Sequence, residues 1–282
     1  METGTKHGQL MGYLVMFRLG NCAMASVGAL LAAIVCVGLG GIWDFVVQVA
    51  LSMIIVLLFT AAGNSLNDYF DREVDKVAHP GRPIPSGVVP PEGAWSASII
   101  MFSVALILSI FINMYSVLIV LSAVLVMVYY EKTLKAKGFT GNIAISWLTG
   151  ALFLFGGVAV DRLELAWILA ALAFLATLGR EIVKDIQDME GDRGSRSTLP
   201  MRIGVRDAGK IASVALVAAV ALSPMPYLLD LLSLWYVPFV AVADAIFIYC
   251  ALIHFRNPEK GQRVAKLAML VALLAFLFGG VF

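Results

Sequence analysis

Two short stretches of the sequence repeat one pattern of acidic residues. Residues 67–75 read NDYFDREVD and residues 185–192 read DIQDMEGD. When the first aspartates are aligned, acids coincide at four positions: Asp68, Asp71, Glu73 and Asp75 in the first stretch, and Asp185, Asp188, Glu190 and Asp192 in the second. A single acidic stretch is usually a solvated helix face. Two matched copies, in a chain with only 14% charged residues, indicate a cation site.

Helical geometry divides these acids into two groups. Residues at positions i, i+3 and i+7 of an α-helix lie within about 60° of one another. Three aspartates of each stretch therefore share one stripe: Asp68, Asp71 and Asp75 in the first, Asp185, Asp188 and Asp192 in the second. Asn64 and Asn67 extend the first stripe by a turn and add neutral oxygen ligands, whereas Glu73 and Glu190 point elsewhere and are expected to face solvent.

The chemistry of the stripes favours a hard divalent ion. Carboxylates gathered near low-dielectric surroundings repel one another unless a cation lies between them. Mg²⁺ fits best, because it takes one or two carboxylates, keeps water ligands and bridges to phosphate oxygens. Basic residues that surround the two stretches could neutralise a phosphate: Arg72, Lys76, Arg82, Lys135, Arg180, Lys184 and Arg196. The residues therefore predict a magnesium-dependent diphosphate site.

The elements that hold these stretches are membrane helices. The chain has 282 residues, of which 61% are apolar, and a mean hydropathy of +0.91. A spanning helix needs roughly 20 mostly apolar residues, and about nine such runs occur. They lie near 12–40, 43–67, 94–112, 115–130, 141–160, 163–184, 208–225, 232–254 and 263–281. We therefore predict an all-α integral membrane protein with nine spans.

The distribution of basic residues supports this number of spans. If the spans alternate from a cytoplasmic N-terminus, every Lys and Arg except Arg162 falls on the cytoplasmic side, and the C-terminus lies outside. This asymmetry follows the positive-inside rule. Both acidic stretches also reach the cytoplasmic side, four spans apart. Their spacing predicts a parallel duplication of a four-helix unit, about 12–130 and 141–254, with a ninth helix at about 263–281.

These residues resemble the UbiA superfamily of intramembrane prenyltransferases. Residues 67–75 complete its N-D-x-x-D-x-x-x-D motif, and residues 82–87 match its R-P-x-P-S-G segment. Residues 184–192 give its second motif as K-D-x-x-D-x-x-x-D, and Tyr130 with Lys135 matches a Tyr and a following Lys in its fourth loop. The resemblance covers essentially the whole chain and implies one domain, 1–282, of nine helices around a central cavity.

The family resemblance also implies an activity. A prenyl group would pass from its diphosphate to a lipophilic acceptor, with Mg²⁺ held by both motifs stabilising the diphosphate as a leaving group. FRLGNCAMA, which contains Arg18 and Asn21, is similar to the archaeal ether-lipid members, as are REIVKDIQDMEGD and YYEKTLKAKGFTGN. Those members join geranylgeranyl diphosphate to geranylgeranylglyceryl phosphate. Lys6, Arg18 or Lys135 would then be candidates to bind the phosphate of the acceptor.

Three alternative functions and one alternative role for Arg18 stay open from the sequence. The same cations could orient an aromatic acid acceptor, as in quinone-forming relatives, and Arg18 could simply snorkel to the membrane interface. Duplicated carboxylates also occur in cation transporters, although transport sites usually lie near the membrane midplane. A CDP-alcohol phosphotransferase would have similar acids, but its D-G-x-x-A-R segment is missing.

Overall fold

A computed structural model describes residues 2–191 and 197–282, with side chains from residue 8 onward. Within these ranges the chain is helical and contains no β-strand. Its α-helices, in chain order, are α1 (Glu2–Phe17), α2 (Leu19–Gly41), α3 (Val46–Ala78), α4 (Pro91–Ser109), α5 (Met114–Lys132), α6 (Phe139–Val158), α7 (Leu163–Asp188), α8 (Leu199–Ile203), α9 (Val205–Leu222), α10 (Met225–Leu228), α11 (Tyr236–Ile253) and α12 (Pro258–Val281).

The long helices have the length and apolar composition of membrane spans. Counted as continuous stretches in the described part of the chain, they give eight candidate spans, because α2 and α3 join into one stretch of 60 residues, Leu19–Ala78. That stretch is interrupted by Gly38, whose φ is 71°, and by a 3₁₀ turn at Ile42–Phe45. The predicted all-α integral membrane architecture is confirmed, and the turn accounts for a ninth span.

The structure corrects several predicted helix ends. The span expected at 12–40 is interrupted at Arg18, which has a left-handed φ of 52° and separates α1 from α2. Helix α3 extends to Ala78, well past the expected end at residue 67, because its polar last turns stay helical beyond the apolar run. Helix α12 begins at Pro258, before the expected residue 263, where the Asn257 side chain caps the helix by accepting from the Lys260 amide at 2.9 Å.

The chain divides into two compact units. The first consists of Met1–Leu30 and Val47–Lys132, and the second of Leu31–Val46 and Thr133–Phe282. The first unit contains α1, α4, α5 and nearly all of α3, and the second contains α6 to α12. The duplication of the two halves and the central cavity stay predictions.

In the first unit, apolar packing supports the end of α3 that carries the acidic motif. Ala62 and Leu66 of α3 are buried against Phe102 of α4. Farther along, Ile84 and Val89 of the connection after α3 are buried with Met16 of α1. These contacts fix α3 on both sides of the motif.

In the second unit, small residues let α6 and α7 approach closely. A Cβ atom added at Gly150 would lie 2.8 Å from the Ala170 carbonyl oxygen, and one at Gly157 would lie 2.4 Å from the Ala166 Cβ. Neither contact is sterically possible, so both positions require glycine at this separation. The close packing of α6 on α7 brings polar residues near the start of α6 to the motif at the end of α7.

Candidate active site

The first acidic motif lies in helical backbone, and its side chains separate as the helical stripe predicts. Asp68 is 2% exposed and Asp75 is 4% exposed. Asp71 is half-buried, whereas Glu73 is exposed. The predicted difference between Glu73 and the aspartates is confirmed, and the motif is not a solvated acidic face.

Two arginines bind the buried aspartates, one 50 residues before Asp68 and the other 7 residues after Asp75. Arg18 Nη2 lies 2.5 Å from Asp68 Oδ1. Arg82 Nη1 lies 2.6 Å from Asp75 Oδ2 and 3.8 Å from the same Asp68 Oδ1. Arg18 is therefore not simply an interfacial snorkelling residue, because its guanidinium group is bound to a buried carboxylate.

The connection after α3 has a folded shape that holds Arg82 against the motif. The Val89 amide donates to the Pro83 carbonyl at 2.9 Å, and the Ser86 amide donates to the Arg82 carbonyl at 3.0 Å. Gly87 has a φ of 77°, a conformation that favours glycine. The R-P-x-P-S-G segment therefore acts as a compact turn that presents a guanidinium group.

The two asparagines of the stripe also have partners. Asn64 Nδ2 donates to the Phe17 carbonyl at 2.8 Å, next to the break at Arg18. Asn67 Nδ2 lies 3.2 and 3.1 Å from the two carboxylate oxygens of Glu131, at the end of α5. Sequence reasoning missed Glu131, although it follows Tyr130 directly. Its contact turns the amide oxygen of Asn67 toward Arg18, at 3.5 Å.

The other basic residues predicted near the first motif point away from its aspartates. The Arg72 guanidinium group lies 4.5 Å from the centre of the Tyr69 ring and donates to the Tyr69 carbonyl at 2.7 Å. Lys76 pairs with the exposed Glu73 at 2.8 Å. Asn21 is exposed near the start of α2. The structure does not bring these three predicted binding residues together with Asp68 or Asp75.

The second motif lies at the end of α7. Asp185 Oδ2 accepts a hydrogen bond from Asn142 Nδ2 of α6 at 2.8 Å, and Asn142 is buried. Lys184 and Asp188 are half-buried and Glu190 is exposed, as predicted. Sequence reasoning did not single out Asn142, although a polar side chain near the start of an apolar span is a signal for function.

The remaining predicted residues are Arg180, Tyr130 and Lys135, together with three positions whose side chains the structure does not describe. Arg180 forms an ion pair with the neighbouring Glu181. Tyr130 at the end of α5 and Lys135 in the 3₁₀ turn Leu134–Ala136 are both half-buried. Three predicted positions lie outside the described residues or side chains: Asp192, Arg196 and the side chain of Lys6.

The donor set fits a hard divalent ion that has few protein ligands. The side chains are carboxylates and amides, which offer the oxygen ligands that Mg²⁺ prefers. Within the described residues, no three His, Cys, Asp or Glu side chains lie close enough together to hold a metal ion. Mg²⁺ typically has only one or two carboxylate ligands and keeps water and phosphate oxygens as the others.

The second unit also encloses an apolar cavity. Its walls come from α6, α7, α9, α11 and α12, and include Phe153, Leu172, Ala173 and Phe276. Asp244 and three other polar side chains also line the cavity: Thr149, Ser223 and Tyr236. The Ser223 hydroxyl donates to Asp244 Oδ2 at 2.6 Å, and the Tyr236 hydroxyl donates to the Ser223 carbonyl at 2.7 Å. Such a cavity suits a hydrocarbon chain.

Comparison with known proteins identifies the family. Residues 19–277 match the profile of the UbiA prenyltransferase family. The chain belongs to this family. The predicted resemblance is thereby confirmed, and the class of protein is a prenyltransferase rather than a cation transporter or a phosphotransferase.

Two similar proteins show which members of the family this UbiA prenyltransferase resembles. It is 37% identical over 273 residues to the digeranylgeranylglyceryl phosphate synthase of Methanothermobacter thermautotrophicus, covering 95% of each chain. It is 38% identical over 285 residues to that of Methanosarcina mazei, covering 95% of this chain and 97% of the relative. Both relatives are similar along nearly their whole length.

Solved structures agree with the family fold. A structure described as digeranylgeranylglyceryl phosphate synthase in membranes superimposes with a TM-score of 0.91 at 35% identity, covering 97% of this chain and 99% of the other. A UbiA homolog from Archaeoglobus fulgidus, bound to GPP and Mg²⁺, superimposes with a TM-score of 0.69 at 17% identity, covering 95% and 98%. At that identity the second comparison supports the fold alone.

Proposed function

We propose that this UbiA prenyltransferase is a digeranylgeranylglyceryl phosphate synthase. It would transfer the geranylgeranyl group of geranylgeranyl diphosphate to the free hydroxyl of geranylgeranylglyceryl phosphate, releasing diphosphate. The observation that carries the proposal is the similarity to relatives of that name, 35% to 38% identical, along nearly the whole chain. An aromatic acceptor, the second expectation from the sequence, has no comparable support.

The aspartates of both motifs are the proposed metal ligands. Asp68, Asp71 and Asp75 would contribute from α3, together with the amide oxygen of Asn67, and Asp185 and Asp188 from α7. Asp192 belongs to the same proposal. When bound, Mg²⁺ would neutralise the diphosphate and stabilise it as a leaving group. Support comes from the chemistry of the side chains, since carboxylate and amide oxygens are the ligands that Mg²⁺ prefers.

The basic residues would bind the phosphates of the two substrates. Arg18 and Arg82 already lie within hydrogen-bond distance of the first motif. A diphosphate bound there would therefore lie next to two guanidinium groups that can donate hydrogen bonds to its oxygens. Asn64, Lys184, Tyr130 and Lys135 are further proposed members of the substrate-binding set, whereas Arg72, Lys76 and Asn21 lie apart from Asp68 and Asp75 and are not proposed as contacts of a diphosphate bound there. Of these, Lys135 is the proposed contact for the phosphate of the acceptor.

The apolar cavity of the second unit is the proposed pocket for an isoprenoid chain. Its lining is almost entirely aliphatic and aromatic, which matches a hydrocarbon tail that carries no hydrogen-bonding groups. The Ser223 hydroxyl and Asp244 bond to each other, so the polar part of the lining does not demand a polar ligand. We also propose that the N-terminus and the reaction lie on the cytoplasmic side, and the distribution of basic residues supports this orientation.

A reconstituted assay tests the proposal. Purified protein is incubated with radiolabelled geranylgeranyl diphosphate, geranylgeranylglyceryl phosphate and Mg²⁺, and lipid products are separated by chromatography. We expect a diether product that disappears when EDTA is added. Turnover of an aromatic acid acceptor, with no diether product, would move the assignment to a quinone-pathway prenyltransferase.

Variants of the motifs test the proposed roles. Asp71→Ala and Asp188→Ala should each reduce turnover by at least a hundredfold, because each removes a proposed metal ligand. Glu73→Ala is the matched control in the same helix, since Glu73 is exposed and pairs with Lys76. It should keep most of the activity. Comparable loss in Glu73→Ala, or retained activity in Asp71→Ala, would refute the assignment.

A further inference from the structure

We propose that Arg18 and Arg82 exchange partners during substrate binding, so that the first motif binds a divalent metal tightly only together with diphosphate. Each guanidinium group would leave a motif carboxylate and bind a diphosphate oxygen as the metal takes its place. This inference rests on the proposed function, because it concerns how the same site selects its ligands. It goes beyond that function by predicting that metal and diphosphate bind cooperatively.

The contacts place arginine and metal in competition for the same atoms. Arg18 and Arg82 both approach Asp68 Oδ1, at 2.5 and 3.8 Å. Arg82 also holds Asp75 Oδ2 at 2.6 Å. A metal ion bound by these oxygens would share them with the guanidinium groups and lie close to their positive charge. Like charges at such a distance repel strongly in a partly buried site.

The balance of charge shows why diphosphate resolves this conflict. Asp68 and Asp75 together carry two negative charges, and Arg18 and Arg82 carry two positive charges, so the four groups are neutral. Added to these four groups alone, a divalent ion would leave an excess of two positive charges; Asp71 of the motif and Glu131, which contacts Asn67, are further acids of the same unit. A prenyl diphosphate supplies negative charge and several oxygen acceptors, to which both guanidinium groups and the metal can bind together.

The placement of the groups allows such an exchange. The Asp68 and Asp75 side chains are 3% and 5% exposed on a continuous helix, whereas the Arg18 and Arg82 side chains are each 33% exposed. Arg18 lies at the break between α1 and α2, and Arg82 lies in the turn after α3. The carboxylates are therefore fixed by the helix, while the arginines reach them from connecting segments on long side chains.

Metal binding measured without turnover tests the proposal. Mn²⁺ replaces Mg²⁺, and its binding to the full-length protein in detergent is followed by electron paramagnetic resonance. The titration is run with and without geranylgeranyl thiodiphosphate, a donor analogue that reacts very slowly, and the Mn²⁺ bound by the analogue without protein is measured separately and subtracted. We expect the analogue to raise the Mn²⁺ affinity of the unmodified protein by at least about tenfold, within the usual range for coupled sites.

The variant Arg82→Gln should give two effects of opposite sign. Without the analogue its Mn²⁺ affinity should rise, because a competing cation has been removed. The increase in Mn²⁺ affinity that the analogue causes should be severalfold smaller in this variant than in the unmodified protein, because one diphosphate contact is lost. Arg82→Lys keeps the charge and should behave more like the unmodified protein. Arg18→Gln should repeat both effects, which provides a second test if Arg82→Gln is poorly folded.

A matched control isolates the local effect from net charge. Arg263→Gln makes the same chemical change on α12, where the arginine side chain is 75% exposed and pairs with Glu259. It should leave both Mn²⁺ titrations unchanged. The proposal is overturned if the analogue does not raise Mn²⁺ affinity, or if Arg82→Gln and Arg18→Gln lower it without the analogue. Cooperative binding in a protein that forms no diether product would overturn the proposed function alone.

Discussion

The contact between Asn142 and Asp185 yields a prediction whose size follows from the structure. Asn142 is 7% exposed, and its amide donates to Asp185 Oδ2 at 2.8 Å. Asn142→Leu keeps nearly the same volume and removes the donor. Asp185 would then lose the hydrogen bond that Asn142 donates to this oxygen, and its carboxylate would be held less firmly.

The expected loss is set by the strength of this bond. A hydrogen bond to a charged group contributes about 1.5 to 3 kcal/mol. Since about 1.4 kcal/mol corresponds to a factor of ten, the apparent affinity for Mg²⁺ should fall by about ten- to a hundredfold. At saturating Mg²⁺ much of the activity should return, because the substitution shifts a proposed metal ligand and does not remove it.

The assay is prenyl transfer measured over a range of Mg²⁺ concentrations, together with thermal unfolding in detergent. Ser146→Ala is the control. Ser146 lies one turn along α6, is fully buried, and its hydroxyl donates to the Asn142 carbonyl at 2.6 Å. Ser146→Ala should change the Mg²⁺ concentration needed for half-maximal activity by less than about twofold. The reasoning fails if Asn142→Leu leaves the Mg²⁺ dependence unchanged, or if Ser146→Ala shifts it equally.

Three further predictions concern other parts of the chain. Ala173→Trp would fill the apolar cavity, so it should raise the KM for the geranylgeranyl substrate at least tenfold. The KM for short-chain donors should rise less. Equal increases for both would contradict the proposed tail pocket. Glu131→Gln would weaken the hydrogen bond to the Asn67 amide, so it should lower the Mn²⁺ affinity severalfold. An unchanged Mn²⁺ titration would show that this contact does not affect metal binding. Burial lowers the pKa of His254, so the unfolded chain binds a proton more readily than the folded one. The free energy of unfolding should therefore fall as the pH drops below about 6.5, by at most about 1.4 kcal/mol per pH unit, and His254→Gln should flatten this dependence in thermal unfolding.

Local features of the fold and site were predictable from the sequence. Hydropathy located the long helices because a spanning segment must be apolar along its length. Helical spacing separated Glu73 from Asp68 and Asp75, since neighbours along a helix have fixed angular positions. Hydropathy failed at helix ends, where α3 continues in polar residues, and at Arg18, where a helix breaks without proline or glycine.

The partners of the motif residues could not be read from spacing. Arg18 and Asp68 are separated by 50 residues, Asn67 and Glu131 by 64, and Asn142 and Asp185 by 43. Each pair joins different helices or a helix and a connection, so it depends on how the elements pack. The sequence has many basic residues near the motifs. Only the packing shows that Arg82 binds the buried aspartates and that Arg72 does not.

The burial of these charges bears on whether the first motif is functional or merely structural. Buried ion pairs usually add little to stability, because desolvation offsets their attraction, and apolar residues of similar size often serve equally well. A helix end that needed only stability would therefore have no reason to bury both Asp68 and Asp75 and to recruit Arg18 and Arg82 to neutralise them. The arrangement is explained if the carboxylates must be present for a metal, and the arginines for a diphosphate. Replacing all four residues by apolar ones should then keep or raise the thermal stability while abolishing turnover, whereas a structural role predicts a loss of stability.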